Sequence, residues 1–227
     1  MDEPLPVRCQ DCLVRDTALC ASLCDAELVA LSRIGRRKTI PAGGVVTWAG
    51  DDNALCANIV TGALKVQAAT AEGREQTVGL LFAGDFVGNP FTETSALTTE
   101  ALTETDLCIF SRVAFERVLD KRPRLERALL ERTMRSLEEA RQRQLTLGRK
   151  SAKGKIAGFL LDIAEAQGGS EIELPIARGE MADYLGLTIE TVSRQMTEMR
   201  EEGLIDAPRG SRRVTLLDRE TLRALDE

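Results

Sequence analysis

Between Pro123 and Gly148 the chain runs for about 25 residues without a helix breaker, and at 1.5 Å per residue that makes a rod roughly 37 Å long. Proline can open such a helix, because a first-turn N–H would lack an intrahelical partner in any case. Leu125, Leu129, Leu130, Met134, Leu137, Ala140, Gln144 and Leu147 fall near one stripe, which turns polar around Arg141-Gln142-Arg143-Gln144. So narrow an apolar seam on so long a helix points to pairing with a second copy, a homodimer. Packing of the helix on its own β-rich domain is the alternative.

The period differs on either side of the rod. From Arg36 to about Phe110, short β-prone runs (VVTW, NIVTG, ALKVQAAT, EQTVGLLF, DFVG, TTEALT, DLCIF) alternate with turns at Ala42-Gly43-Gly44, Ala49-Gly50-Asp51-Asp52, Gly62, Glu72-Gly73 and Ala83-Gly84-Asp85. Regular short strands of this kind favour an antiparallel barrel or jelly roll. A short helix over 25–33, with Asp25 as N-cap, precedes them. After the rod come a helix over Lys155–Ala166, a Gly168-Gly169 turn, a strand over Ile172–Leu174, two helices and a hairpin. The fold class is α+β, in four parts: a cysteine loop (1–24), an antiparallel β-roll (25–118), a dimerisation helix (119–148) and a C-terminal winged helix-turn-helix (149–227).

That last assignment rests on RGEMADYLGLTIETVSRQMTEMREEGLI. Met181, Ala182 and Leu185 give a short helix one apolar face, Gly186 permits a tight turn, and Thr188 can cap a second helix whose buried face is Val192, Met196 and Met199. In a helix-turn-helix the second helix enters the major groove of double-stranded DNA. Glu190, Ser193 and Arg194 are left outward near its start. Glu accepts from cytosine N4, Arg bonds guanine bidentately and Ser serves either role. A solvated helix face with a Glu190–Arg194 ion pair would carry the same residues, contributing only a few tenths of a kcal/mol. The basic tip Pro208-Arg209-Gly210-Ser211-Arg212-Arg213 favours DNA, since arginines at a wing can hold phosphates. Residues 150–227 nevertheless carry 11 Lys and Arg against 15 Asp and Glu. Non-specific affinity should therefore be weak and salt-sensitive, with specificity left to base contacts and dimerisation.

The chain has no histidine, which removes Ser-His and Cys-His catalysis and imidazole-ligated metals; no enzyme is expected. No run of about 18 apolar residues could cross a bilayer, and Met1-Asp2-Glu3-Pro4 does not resemble a signal peptide, so a cytoplasmic location is expected. In 227 residues a core is affordable without disulfides. The cluster Cys9, Cys12, Cys20, Cys24 therefore reads as a metal or redox site in a reducing compartment.

The order of β-roll, long helix and winged helix-turn-helix, together with YLGLTIETVSR, resembles the CRP/FNR family of regulators over nearly the whole chain. Its FNR branch carries Glu-x-x-Ser-Arg, here Glu190, Ser193 and Arg194. The resemblance implies that they read TTGAT half-sites in an inverted repeat, with RNA polymerase as a further partner. Cyclic-nucleotide-binding members have a Gly-Glu pair and a downstream Arg-Ser/Thr-Ala. Here Ala83–Pro90 and Leu97–Ala101 supply no arginine, and a buried phosphate without a cation is costly, so no cyclic nucleotide is expected.

FNR-type sensors hold a [4Fe-4S] cluster on three N-terminal cysteines and one from the β-roll, and the resemblance implies Cys9, Cys12, Cys20 and Cys108 as ligands. The seven residues before Cys20, where the better-known spacing is five, leave Cys24 as a substitute. The family often carries an acidic residue near Ala140, and its absence bears on the sharpness of an oxygen response. A zinc ion on Cys9, Cys12, Cys20 and Cys24 is the alternative cofactor, with Cys108 then a small buried hydrophobe, as Cys56 is expected to be. A metal-free regulator sensing nitric oxide, redox state or a small ligand, and an iron-sulfur electron-transfer protein, stay open.

Overall fold

The computed structural model describes residues 4–70, 72–73, 75–208 and 210–227; Met1–Glu3 and the wing-tip Arg209 lie outside the described residues. Two compact units divide at Ser136/Leu137.

In the first unit, α1 (Val7–Gln10) and a 3-10 turn (Leu19–Ser22) lead into α2 (Asp25–Ile34). Cys24, not Asp25, is the N-cap of α2, and the Glu27 carboxylate accepts from the Cys24 N–H at 3.1 Å. Eight strands follow: β1 (Gly35–Ile40), β2 (Val45–Thr47), β3 (Leu55–Thr61), β4 (Ala63–Ala69), β5 (Glu75–Phe82), β6 (Phe86–Val87), β7 (Thr98–Ala101) and β8 (Thr105–Ser111). They form two antiparallel sheets, in the orders β1-β8-β3-β6 and β2-β7-β4-β5. Both contribute to one buried cluster: Ile40, Ala57, Ile59, Leu107 and Ile109 from the first, Leu64 and Ala101 from the second. Period-two alternation then turns Cys56, Asn58 and Val60 of β3, and Cys108 and Phe110 of β8, to the opposite face of the first sheet. That outer face is covered by the N-terminal segment and helices. Leu19, Leu31, Cys56, Phe110, Phe115, Leu119 and Leu125 form one buried group over it, and Val14, Ala18 and Val60 another.

Several elements differ from expectation. β1 has four exposed residues between buried ends, so its Arg-Arg-Lys-Thr stretch carries no apolar alternation. A separate helix α3 (Arg112–Leu119) precedes the rod, so the assignment of 119–148 to one helix is corrected: Leu119 ends α3, and α4 runs Pro123–Arg149, through Gly148. The apolar stripe of α4 also divides. Leu125, Ala128 and Leu129 pack on the first sheet's outer face, while Leu130, Met134 and Leu137 are exposed. Packing on its own domain and an unpartnered seam are therefore both present, on two faces of one helix.

The second unit holds α5 (Ala152–Gln167), β9 (Glu171–Glu173), α6 (Arg178–Leu185), α7 (Ile189–Glu201), β10 (Ile205–Asp206), β11 (Arg213–Leu216) and an unanticipated α8 (Arg219–Asp226). Its antiparallel sheet is ordered β10-β11-β9.

The turn between β3 and β4 is made by Gly62 at φ +88°, where an added Cβ would lie 2.4 Å from Thr105 Oγ1 and 2.6 Å from the Glu104 carbonyl oxygen. Gly62→Ala combines a disfavoured backbone with a clash against main chain, and should lower β-roll stability by about 1–3 kcal/mol. Urea unfolding followed by circular dichroism checks this; an unchanged midpoint would contradict the close approach.

Candidate metal centre and nucleic-acid interface

Cys108 sits at the middle of β8, paired across the sheet with Arg37 of β1 on one side and Asn58 of β3 on the other. All three side chains belong to the outer face. Over this row lies the N-terminal segment, pinned by Val14, Ala18 and Leu19, each no more than 5% exposed. Between segment and sheet is a cavity of about 410 Å³, including its open mouth, lined by Cys9, Cys12, Cys20 and Cys108. Cys24 and Cys56 do not line it. Cys24 is exposed at the start of α2, and Cys56 is fully buried among Phe110, Phe115 and Leu119. The cavity thus groups the four cysteines implied as cluster ligands and separates them from the other two.

Burial pushes the Cys20 thiol up to about 12, with Cys108, Cys12 and Cys9 adding to the effect in that order. Burial likewise raises Cys108, while Arg37 and Arg8 oppose it. Cys56 is pushed to about 12 mainly by burial. Without a cation these thiols stay protonated at neutral pH; thiolate formation in the cavity needs a metal or nearby positive charge. Arg8, Arg15 and Arg37 are among the residues lining the same cavity. Arg37 donates to Cys12 Sγ at 3.5 Å and Asn58 Nδ2 to Cys20 Sγ at 3.6 Å.

Among the described residues no three Cys, Asp or Glu side chains meet around one point as ligands of a single ion would. A lone zinc at 2.3 Å from each sulfur needs the sulfurs about 3.8 Å apart. A [4Fe-4S] cluster takes four cysteine thiolates, and in their chemistry the four donors lining the cavity fit that group.

One residue of α4 reaches this segment. Arg132, half-buried, donates to the Gly84 carbonyl at 2.6 Å and to the Thr17 carbonyl, with Asp85 at 3.9 Å. It joins three pieces: the N-terminal segment, the β5–β6 turn and the long helix. Sequence reasoning missed it, as it missed Arg37 and Asn58; neither arginine has a spacing to betray it.

In the second unit α6 ends at Gly186, which adopts φ 62° and lets the chain reverse into α7. Thr188 Oγ1 accepts from the Thr191 N–H at 3.3 Å, closing the first turn of α7. Met181, Ala182, Leu185, Val192, Met196 and Met199 are buried between the elements. Glu190 and Arg194 are exposed and Ser193 half-buried. Arg194 is 3.8 Å from Glu198, so its ion pair is with the next turn and not with Glu190. Hydrogen bonds from its own backbone N–H and from Thr188 hold the Glu190 carboxyl below its ordinary range, so it stays an acceptor. Arg212 and Arg213 are exposed at the wing.

Residues 154–225 match the Crp-like helix-turn-helix domain and residues 37–122 the cyclic nucleotide-binding domain. The chain is 41% identical over 220 residues to the transcriptional activator protein FnrL of Cereibacter sphaeroides, covering 93% of this chain and 88% of that one. The chain belongs to the CRP/FNR family. It is also 36% identical over 230 residues to the nitrogen fixation regulation protein FixK of Bradyrhizobium diazoefficiens, covering 99% and 96%. The solved structure of FixK2 from Bradyrhizobium japonicum superposes with a TM-score of 0.79 at 27% identity, over 86% of this chain and 98% of that one. As a CRP/FNR protein the chain is a DNA-binding transcription regulator and not an enzyme. No helix among the described residues is long and apolar enough to cross a membrane. The second domain match describes a fold shared across the CRP/FNR family and assigns no ligand.

For this CRP/FNR recognition helix, Glu190→Ala should flatten preference at one base pair of each half-site, by about 1–3 kcal/mol. Competition binding across single-base half-site variants measures it, and a uniform loss over all variants would make Glu190 a positioning residue instead.

Proposed function

We propose that this protein is an oxygen-responsive transcription regulator, holding a [4Fe-4S] cluster on Cys9, Cys12, Cys20 and Cys108 and binding TTGAT-type inverted repeats as a homodimer. The observation that carries the reading is the single cavity lined by these four of the six cysteines. When bound there, the cluster would supply an oxygen-labile cross-link between the N-terminal segment and β8.

The chain's own residues turn that cross-link into a signal. Cys9 lies on α1, Cys12 just after it and Cys20 in the 3-10 turn, whereas Cys108 lies on an inner strand, so ligation of all four would tie the N-terminal segment to the sheet. The Thr17 carbonyl, between Cys12 and Cys20, accepts from Arg132 of α4. Seating the segment therefore fixes a side chain two residues from Met134, on a helix whose Leu130, Met134 and Leu137 are exposed. Pairing of two such faces would bury them and set two recognition helices one DNA turn apart. Releasing the segment removes the Thr17 contact and leaves Arg132 to the β5–β6 turn alone. A seam that turns polar beyond Ala140 keeps the dimer weak enough for a modest free-energy change to shift its population.

The four-cysteine zinc site is disfavoured by the placement of Cys24, which caps α2 away from the cavity. For cyclic nucleotides, no Arg or Lys lies between Ala83 and Ala101 to neutralise a phosphate. RNA polymerase is the expected further partner at promoters.

Substituting Cys108 and Cys24 in turn tests the ligand set. Cys108→Ala should lose the broad visible absorbance and most bound iron and sulfide after anaerobic assembly, whereas Cys24→Ala should keep both. The reverse pattern would overturn the proposed ligands.

A further inference from the structure

We infer that Asn58 and Arg37 are positioning residues of the metal centre: their N–H groups, aimed at Cys20 and Cys12, stabilise the electron-rich form of the sulfur-ligated group and so set how readily it is oxidised. The inference rests on the cluster reading above and adds to it two side chains that are not ligands.

Asn58 is 2% exposed in the middle of β3, between Cys56 and Val60 on the same face of the strand. Both neighbours are apolar, and a leucine would continue the pattern. The amide instead donates from Nδ2 to Cys20 Sγ at 3.6 Å, and its Oδ1 is buried with no hydrogen-bond partner. An orphaned buried acceptor costs about 1–3 kcal/mol. A single N–H···S contact to a neutral thiol offsets little of that. The same contact to a thiolate offsets much more, because donor bonds to charged acceptors are roughly twice as strong. The residue makes physical sense where Cys20 carries charge.

Arg37 makes the matching contact from the other side of Cys108. It stands on β1, the edge strand of its sheet, directly across from Cys108, and donates to Cys12 Sγ at 3.5 Å. Asn58 stands across from Cys108 on β3. The sheet register thus places one N–H donor on each flank of the β-roll ligand, each directed at a cysteine of the N-terminal segment. Hydrogen bonds to the sulfurs are among the factors that set the potential of iron-sulfur groups. The member of a one-electron couple that carries the extra electron gains most from such dipoles, so removing them makes the potential more negative and oxidation easier.

The test compares full-length wild type, Asn58→Leu and Arg37→Met, each assembled anaerobically with iron and sulfide. Three quantities are read: bound iron and sulfide, the midpoint potential from a mediated redox titration, and the rate at which visible absorbance disappears in air. Both variants should take up wild-type amounts, show a more negative midpoint and bleach faster, Asn58→Leu by roughly tenfold, the scale on which groups behind metal ligands act. Arg37, exposed on an edge strand, should have the smaller effect. Wild-type potential and bleaching rate in both variants would overturn the inference while leaving the ligand set standing. A wild type that binds neither iron nor sulfide would instead overturn the cluster reading, and this inference with it. Should Asn58→Leu fail to fold, Arg37→Met decides alone, because no core packing depends on it.

Discussion

Everything proposed for this chain depends on how a segment of some twenty residues is held against a β-sheet. Apolar burial supplies part of that hold: Val14, Ala18 and Leu19 cover the sheet's outer face beside Val60, Leu31 and Phe110. These few anchors work against the conformational entropy of ordering the segment, so a cross-link formed beneath it would add directly to the hold. Four cysteines at its underside are the chemistry that can supply one.

The outer face of the first sheet is shared between two tasks. Toward one end, Cys56, Phe110 and Phe115 build an ordinary aromatic and aliphatic core with α2, α3 and the first turns of α4. Toward the other, Cys108, Asn58 and Arg37 form a polar, sulfur-bearing row across three strands. The packed end fixes α4 on the sheet. The polar end is where the segment carrying three thiols comes down, and Arg132 spans the gap between segment and helix. A local event at the sulfurs can reach the helix through contacts within one compact unit, without a change in the packed core.

Much of this was legible in the sequence, for physical reasons that also explain the rest. Strands such as Leu55–Thr61 and Thr105–Ser111 declare themselves as short β-prone runs between turn residues, and the recognition motif by the coincidence of a turn glycine, a capping threonine and two apolar faces. β1 was not legible, because Arg36 to Thr39 put charge and hydroxyls where alternation would be read. The division of α4 into packed and exposed faces escaped notice because Leu129 and Leu130 are adjacent in sequence, and only the sheet decides which turns inward. The expected cysteine ligands came from family resemblance; the fold adds that Cys9, Cys12, Cys20 and Cys108 line one cavity and Cys24 does not. Asn58 could have been suspected as a lone amide between two apolar strand positions, while Arg132 had no such signal.

The most direct measurement follows one anaerobic sample of the full-length protein through air exposure, recording iron and sulfide per chain, visible absorbance and affinity for a TTGAT inverted repeat. The account predicts four irons and four sulfides per chain, a broad visible band that bleaches in air, and a parallel loss of DNA binding. A colourless protein whose DNA affinity is the same with and without air would contradict it.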